Sequence, residues 1–318
     1  MKRLFLSPSQ DLPITYTIAL ASGFVVGLVT DTTPLAAFIL PAAVLTIYPN
    51  MIGFKMGEIL NLSHGRLLCT SLAINFTLVP LLAYLLGTLF LLRDPQLFAG
   101  LAIASLLPTS NMTIAFTMLA KGNVPAAVKL TVISLVLGSL LTPWYLLLMV
   151  GKYVPVDILQ TLETVGIVVF LPLIMGTTTY SLLLRRYSPQ EIQEKFMPYC
   201  PAMTTWGIVY IIFVSISVNA HRIVSQADLL LHGLLVQIAF YAANYALSIG
   251  LGRRFFGQKD ALALVFATVL RNLSISIGLA ATAFGANAAL MVSLAILIQG
   301  QTAAWFVRLN ERLEILPG

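Results

Sequence analysis

Ten long apolar runs occupy most of the chain and leave it few folds to choose from. They are residues 13–30, 35–54, 67–92, 96–120, 124–150, 158–183, 201–219, 229–251, 261–284 and 287–307. A hydrocarbon core of roughly 30 Å needs about 20 residues of helix, close to the length of each run. Lipid offers no hydrogen bonds to the backbone, so a spanning run of this length must satisfy its own, which a helix does. Charged residues make up only 9% of the chain, hydrophobic residues 58%, and mean hydropathy is +0.93. Such a composition excludes a soluble domain. The sequence predicts an all-α polytopic membrane protein.

The basic residues check the count. With the N-terminus in the cytoplasm, thirteen Lys and Arg residues fall inside, from Lys2, Arg3, Lys55 and Arg66 through to Arg308 and Arg312. Only Arg93, Lys152 and Arg222 fall outside, while Lys129 and Arg271 remain within spans. This asymmetry predicts ten transmembrane helices in the plasma (inner) membrane with both termini cytoplasmic. The net charge of +6 is then a topology signal, so no nucleic-acid partner is expected. The first six residues resemble a signal peptide, but Pro8 and Asp11 interrupt it, which predicts a retained N-terminus. Cys69 and Cys200 form no spacing motif and are expected as buried small hydrophobes.

Loops are short and no linker divides the chain. Residues 1–318 are therefore expected to form one transmembrane transporter domain, with repeat one at about 13–151 and repeat two at about 157–312. Five spans in each half require the halves to lie in opposite orientation, giving two inverted five-helix repeats. At a fixed offset of 163, Ala83, Gly87 and Gly122 fall on Ala246, Gly250 and Gly285. The same offset places Pro108 on Arg271, Thr109 on Asn272 and Asn111 on Ser274, so the polar interruptions of the fourth and ninth spans coincide.

Arg271 lies near the middle of the stretch 261–283, which contains no Asp or Glu. A guanidinium at bilayer depth is costly and marks a functional site by default. Pro108 removes a backbone donor from the fourth span. Broken helices at corresponding positions of two repeats point to a midplane binding site. If the breaks face each other, Arg271, Asn272, Ser274, Ser276, Thr109, Ser110, Asn111 and Thr113 form a donor-rich substrate-binding ring. Two roles are open to Arg271: its five donors could tie down carbonyls freed by the break, or its charge could serve an anionic solute. Lys129 either snorkels to the interface or lines an inner vestibule as a second cation. Asn75, Gln237 and Asn244 are polar mid-span residues suited to the core, and Glu163 sits near the outer start of span six. No role is assigned to His64, His221 or His232. The chain lacks a Walker A motif, a dinucleotide fingerprint, a metal-ligand cluster and a nucleophile constellation, so no enzyme activity, cofactor or metal is expected.

Several segments resemble the superfamily of bile acid:sodium symporters and arsenite-efflux permeases. Leu40-Pro41 with Ile47-Tyr48-Pro49, and Asn75 through Pro80 running to Asp94-Pro95, are similar to the arsenite permease branch. Leu119-Ala120-Lys121-Gly122-Asn123 is similar to both branches, and Leu140-Leu141-Thr142-Pro143 to the symporter branch. The resemblance implies a ten-span inverted repeat with a panel domain and a core domain, its fourth and ninth helices broken and crossing near the midplane. Two departures alter the chemistry it implies. The permease cysteine of the fourth-span break aligns with Thr109, a hard oxygen in place of sulfur. The symporter glutamate of the ninth-span break, which helps hold sodium, aligns with Arg271. Thr131 and Ser134 keep part of a residual cation site, interrupted by Val132 and Leu135.

These readings predict a secondary transporter that moves a small organic anion or oxyanion by alternating access without conventional sodium coupling. Its partners would be that small anionic solute and the lipid bilayer. Arsenite or antimonite efflux is the alternative within transport, and a solute-binding membrane sensor or channel is the alternative of another class.

Overall fold

The computed structural model describes residues 12–53, 64–225 and 227–316. The first six residues with Lys2 and Arg3, the interrupting Pro8 and Asp11, and Lys55 lie outside the described residues, as do the side chains of Asn111 and Arg222.

Among the described residues the regular structure is helical, apart from one antiparallel bridge. The first helices are α1 (Leu12–Val29), α2 (Ile39–Met51, entered through a 3-10 turn at Thr33–Phe38) and α3 (Gly65–Phe90). They are followed by α4 (Pro95–Leu106), α5 (Asn111–Leu119), α6 (Val124–Val150) and α7 (Ile158–Leu183). Next come the short α8 (Pro189–Lys195), α9 (Cys200–Val218), α10 (Ala220–Ser225) and α11 (Ala227–Phe255). The chain continues through α12 (Gln258–Val269), α13 (Leu273–Ala283) and α14 (Ala286–Leu313). Among the described residues, seven helices are long and apolar enough to cross a membrane, and Ile14–Val29, Pro95–Leu106 and Leu273–Ala283 are shorter apolar helices. The chain is a multi-pass membrane protein. Every apolar run read from the sequence coincides with a helix or with two half-helices.

The chain divides into two compact units, each assembled from separate segments. The first comprises residues 1–54, 157–230 and 274–293. Within it α9 packs on α1 and α2, and α7 packs on α2. Lipid tails supply no hydrophobic force between helices, so close contact depends on small residues. Gly23 fills that role: a Cβ there would lie 2.7 Å from the Phe213 carbonyl oxygen. Gly176 faces the Met51 backbone in the same manner. Hydroxyls bridge the helices, with Tyr210 donating to the Leu35 carbonyl at 2.8 Å and Tyr48 paired to Thr179 at 2.9 Å.

The second unit comprises residues 55–156, 231–273 and 294–318. Its long helix α6 packs against α3, α4, α5 and α12. Gly138 brings α6 against the end of α4, where a Cβ would sit 2.9 Å from the Leu106 carbonyl oxygen. Helix α3 carries a π-helical turn at Ile74–Leu78 just before Pro80. Pro80 has no N–H for the Phe76 carbonyl, and the Tyr145 hydroxyl donates to that oxygen instead. The turn holds Asn75, a fully buried amide, which becomes important at the breaks.

Cys69 is exposed and Cys200 half-buried, rather than both buried. An apolar pattern in a membrane chain does not separate residues facing protein from residues facing lipid, because both must be apolar.

Candidate functional site

The two interruptions pair with each other inside the second unit. Helix α4 ends at Leu106 and α5 begins at Asn111; helix α12 ends at Val269 and α13 begins at Leu273. Pro108 and Arg271 form the antiparallel bridge, and the Asn272 N–H donates to the Leu107 carbonyl at 2.8 Å. Two buried stretches outside the helices thereby satisfy part of each other's backbone, which an apolar surrounding requires.

The last carbonyls of a helix have no partner within it and carry the negative end of the helix dipole. Both α4 and α12 end at the break, and Arg271 answers both. Its Nε–H donates to the Ala104 carbonyl at 3.2 Å and one Nη2–H donates to the Ser105 carbonyl. Nη1 donates to the Thr268 carbonyl at 3.0 Å and to the Asn75 Oδ1. The guanidinium is thus held by three terminal carbonyls and one amide oxygen, and Arg271 is 0% exposed. Among the described residues no carboxylate is paired with its charge. Asn75 is fixed in turn, its Nδ2 donating to the Ala267 carbonyl and to Ser71 Oγ, each at 3.2 Å. Asn244 Nδ2 adds a donor to the Thr268 carbonyl at 3.1 Å.

Gln299 of α14 supports the second break from the other side. Its Oε1 accepts the Arg271 backbone N–H at 2.7 Å and the Tyr241 hydroxyl at 3.0 Å, while Nε2 donates to the Arg271 carbonyl at 3.1 Å. A side-chain amide here does the work of a neighbouring strand. Neither Gln299 nor Tyr241 was picked out from the sequence. The available signal was a lone amide in the middle of an apolar helix, the same signal that singled out Asn75 and Asn244.

Thr109 has φ of 61°, an outlier for a β-branched residue. Such strain gathers at functional sites when the surroundings hold it. Its buried hydroxyl donates to the carbonyls of Pro108 at 2.7 Å and Thr131 at 3.3 Å. Thr113, also buried, accepts the Ser110 N–H at 3.1 Å and donates to the Phe266 carbonyl at 3.4 Å. Ser110 caps α5, its Oγ accepting the Met112 N–H at 3.2 Å, and is half-buried.

The predicted ring therefore sorts by exposure. Thr109, Thr113, Arg271 and Ser276 are buried, whereas Ser110, Asn272 and Ser274 are half-buried. Thr109, Ser110, Asn111, Thr113, Arg271 and Asn272 belong to the second unit, and Ser274 and Ser276, in the first turns of α13, to segments of the first. Thr131 donates to the Ala127 carbonyl at 2.8 Å, and the buried Ser134 Oγ has no hydrogen-bond partner among the described residues. Lys129 is 4% exposed, so α6 buries it and snorkelling does not describe it. The apolar neighbours on α6 hide in the sequence the protein that surrounds this residue.

A model of the sodium bile acid symporter family matches residues 40–226, more than half of the chain. The uncharacterized protein YbaS of Bacillus subtilis is 26% identical over 80% of this chain and 82% of its own length. An uncharacterized sodium-dependent transporter of the same organism, YocS, is 25% identical over 60% of each chain. A probable chloroplastic sodium/metabolite cotransporter of Arabidopsis thaliana is 27% identical over 60% of this chain. The match covers 46% of that plant protein, so the chain spans less than two thirds of both YocS and the plant relative. With its apolar helices and more than half of its length matched, the chain belongs to the sodium bile acid symporter family and is a secondary membrane transporter, not an enzyme.

Proposed function

We propose that this transporter moves a small organic anion or oxyanion by alternating access and is not conventionally coupled to sodium. The observation that carries the reading is the Arg271 guanidinium, held by the terminal carbonyls of two half-helices with no carboxylate beside it among the described residues. Each helix terminus carries roughly half an elementary charge, so two C-terminal ends together balance about one cation. Arg271 supplies that cation permanently, where a symporter would borrow one from solution. Its donors are largely spent on protein oxygens and the two helix ends balance its charge, so Arg271 acts by holding the breaks and by standing in for the cation a symporter would bind there. Direct contact falls to the half-buried Ser110 and Asn272 of the second unit. Lys129 adds a second buried positive charge in the same unit and contributes to an interior that favours anions.

The architecture proposed around this site is ten spans in two inverted five-helix repeats, one transporter domain, with both termini cytoplasmic in the plasma membrane. Support comes from the half-helices. Pro95–Leu106 and Gln258–Val269 begin 163 positions apart and end 163 positions apart, the offset found in the sequence. Counting each broken pair as one span, and Ile14–Val29 as another, gives ten.

A thermal-shift screen of organic anions and inorganic oxyanions on the purified protein, with and without sodium, tests the reading. At least one anion should stabilise the protein equally in sodium and in potassium. Stabilisation by any anion only when sodium is present would contradict it.

A further inference from the structure

The first unit carries a cleft of about 380 Å³, separate from the paired breaks in the composition of its walls. Gln160, Glu163, Thr164 and Ile167 line it from α7, at spacings that set all four along one helix face. Ala36, Ala37, Ile39 and Leu40, with Ala281 and Thr282 at the end of α13, supply the remaining surface. Most of the polar groups are acceptors, and the Gln160 amide offers an acceptor oxygen alongside its donors. Thr164 donates its proton to the Gln160 carbonyl at 2.8 Å and Thr282 to the Gly278 carbonyl at 2.8 Å, so each presents hydroxyl lone pairs outward. Glu163 is exposed and enters no ion pair among the described residues. A carboxylate and two hydroxyl acceptors stand over an apolar floor of Ala36, Ile39, Leu40 and Ile167, with no base among the lining residues.

We propose that this cleft binds a small primary alkylammonium ion. An ammonium has three donors and no acceptor, which suits the acceptor-rich rim, and its charge pairs with Glu163. A short alkyl chain covers the floor, and the volume lies at the lower end of the usual range for small-molecule pockets. The polarity is the reverse of the Arg271 site, so this is a second site for a second class of ligand and stands without the anion reading. Ala281 and Thr282 lie on the half-helix that starts at the second break, so occupancy bears on a segment that carries Ser274 and Ser276.

Isothermal titration calorimetry with n-butylammonium chloride on the full-length protein in detergent provides the test, with n-butanol as the uncharged control. Butylammonium should bind while butanol gives no heat of binding. Glu163→Gln should weaken binding about three- to tenfold, the effect of losing one partly exposed charge pair. Ile167→Trp, which fills the floor and leaves the carboxylate in place, should weaken it as well. Unchanged affinity in Glu163→Gln, equal binding of butanol, or no binding by the wild-type protein would each overturn the proposal.

Discussion

Uptake of the stabilising anion into proteoliposomes should fall to background when Arg271 is replaced by Glu, and by about tenfold or more when it is replaced by Gln. The cause is the surroundings of the guanidinium. The carbonyls of Ala104, Ser105 and Thr268 and the Asn75 Oδ1 all point at it. A carboxylate placed there adds a negative charge to a cage of negative poles, at a burial where water cannot relieve it. Removing one partner from a buried charged network typically costs about 3–5 kcal/mol. Glutamine removes the charge but leaves two donors, so it should retain more fold than function. Lysine keeps the charge with three donors and should fall between glutamine and the wild type. Arg271→Ala leaves space for a free guanidinium ion, and added guanidinium should restore part of its uptake. Unimpaired uptake by Arg271→Gln would show that the charge has no part in transport.

The second large effect is expected at Gln299. Replacement by Leu keeps the apolar character of α14 but strips the Arg271 N–H and C=O, and the Tyr241 hydroxyl, of their partner. Each buried group left unsatisfied costs about 1–3 kcal/mol, and some recover through local shifts, so unfolding should ease by about 2–4 kcal/mol. Thermal unfolding of the purified variant in detergent reads this directly. Gln299→Glu keeps the acceptor for the Arg271 N–H and the Tyr241 hydroxyl but sets a buried carboxylate oxygen against the Arg271 carbonyl, so it should lose stability as well. Stability of Gln299→Leu equal to wild type would mean that the second break holds its shape without this support.

The contrast between Arg271 and Gln299 shows what a membrane sequence discloses. Helices were legible because a run of about 20 apolar residues leaves the backbone little else to form. The breaks were legible because Pro108 and Arg271 interrupt such runs at a common offset. The partners of Arg271 were not, since three of them are backbone carbonyls, which every residue possesses and no side chain announces. Gln299 was passed over because one amide in an apolar helix looks the same whether it faces a break or a neighbouring helix. Cys69 was placed wrongly, and Lys129 was left with two readings, for a related reason: lipid and protein are equally apolar neighbours, so hydrophobicity marks depth but not facing. The exposure that separates Ser110, Asn272 and Ser274 from Thr109, Thr113 and Ser276 depends on backbone geometry at the breaks. The φ of Thr109 is one example that residue type would argue against.

Sodium dependence of flux tests the central claim most directly. Wild-type protein in proteoliposomes, loaded with the anion that stabilises it, should show the same initial exchange rate with sodium, potassium or choline as the external cation. An inward sodium gradient should neither speed uptake nor drive accumulation. Accumulation of the anion against its own gradient, driven by sodium and collapsed when sodium is replaced by choline, would contradict the assignment of Arg271 as the resident cation.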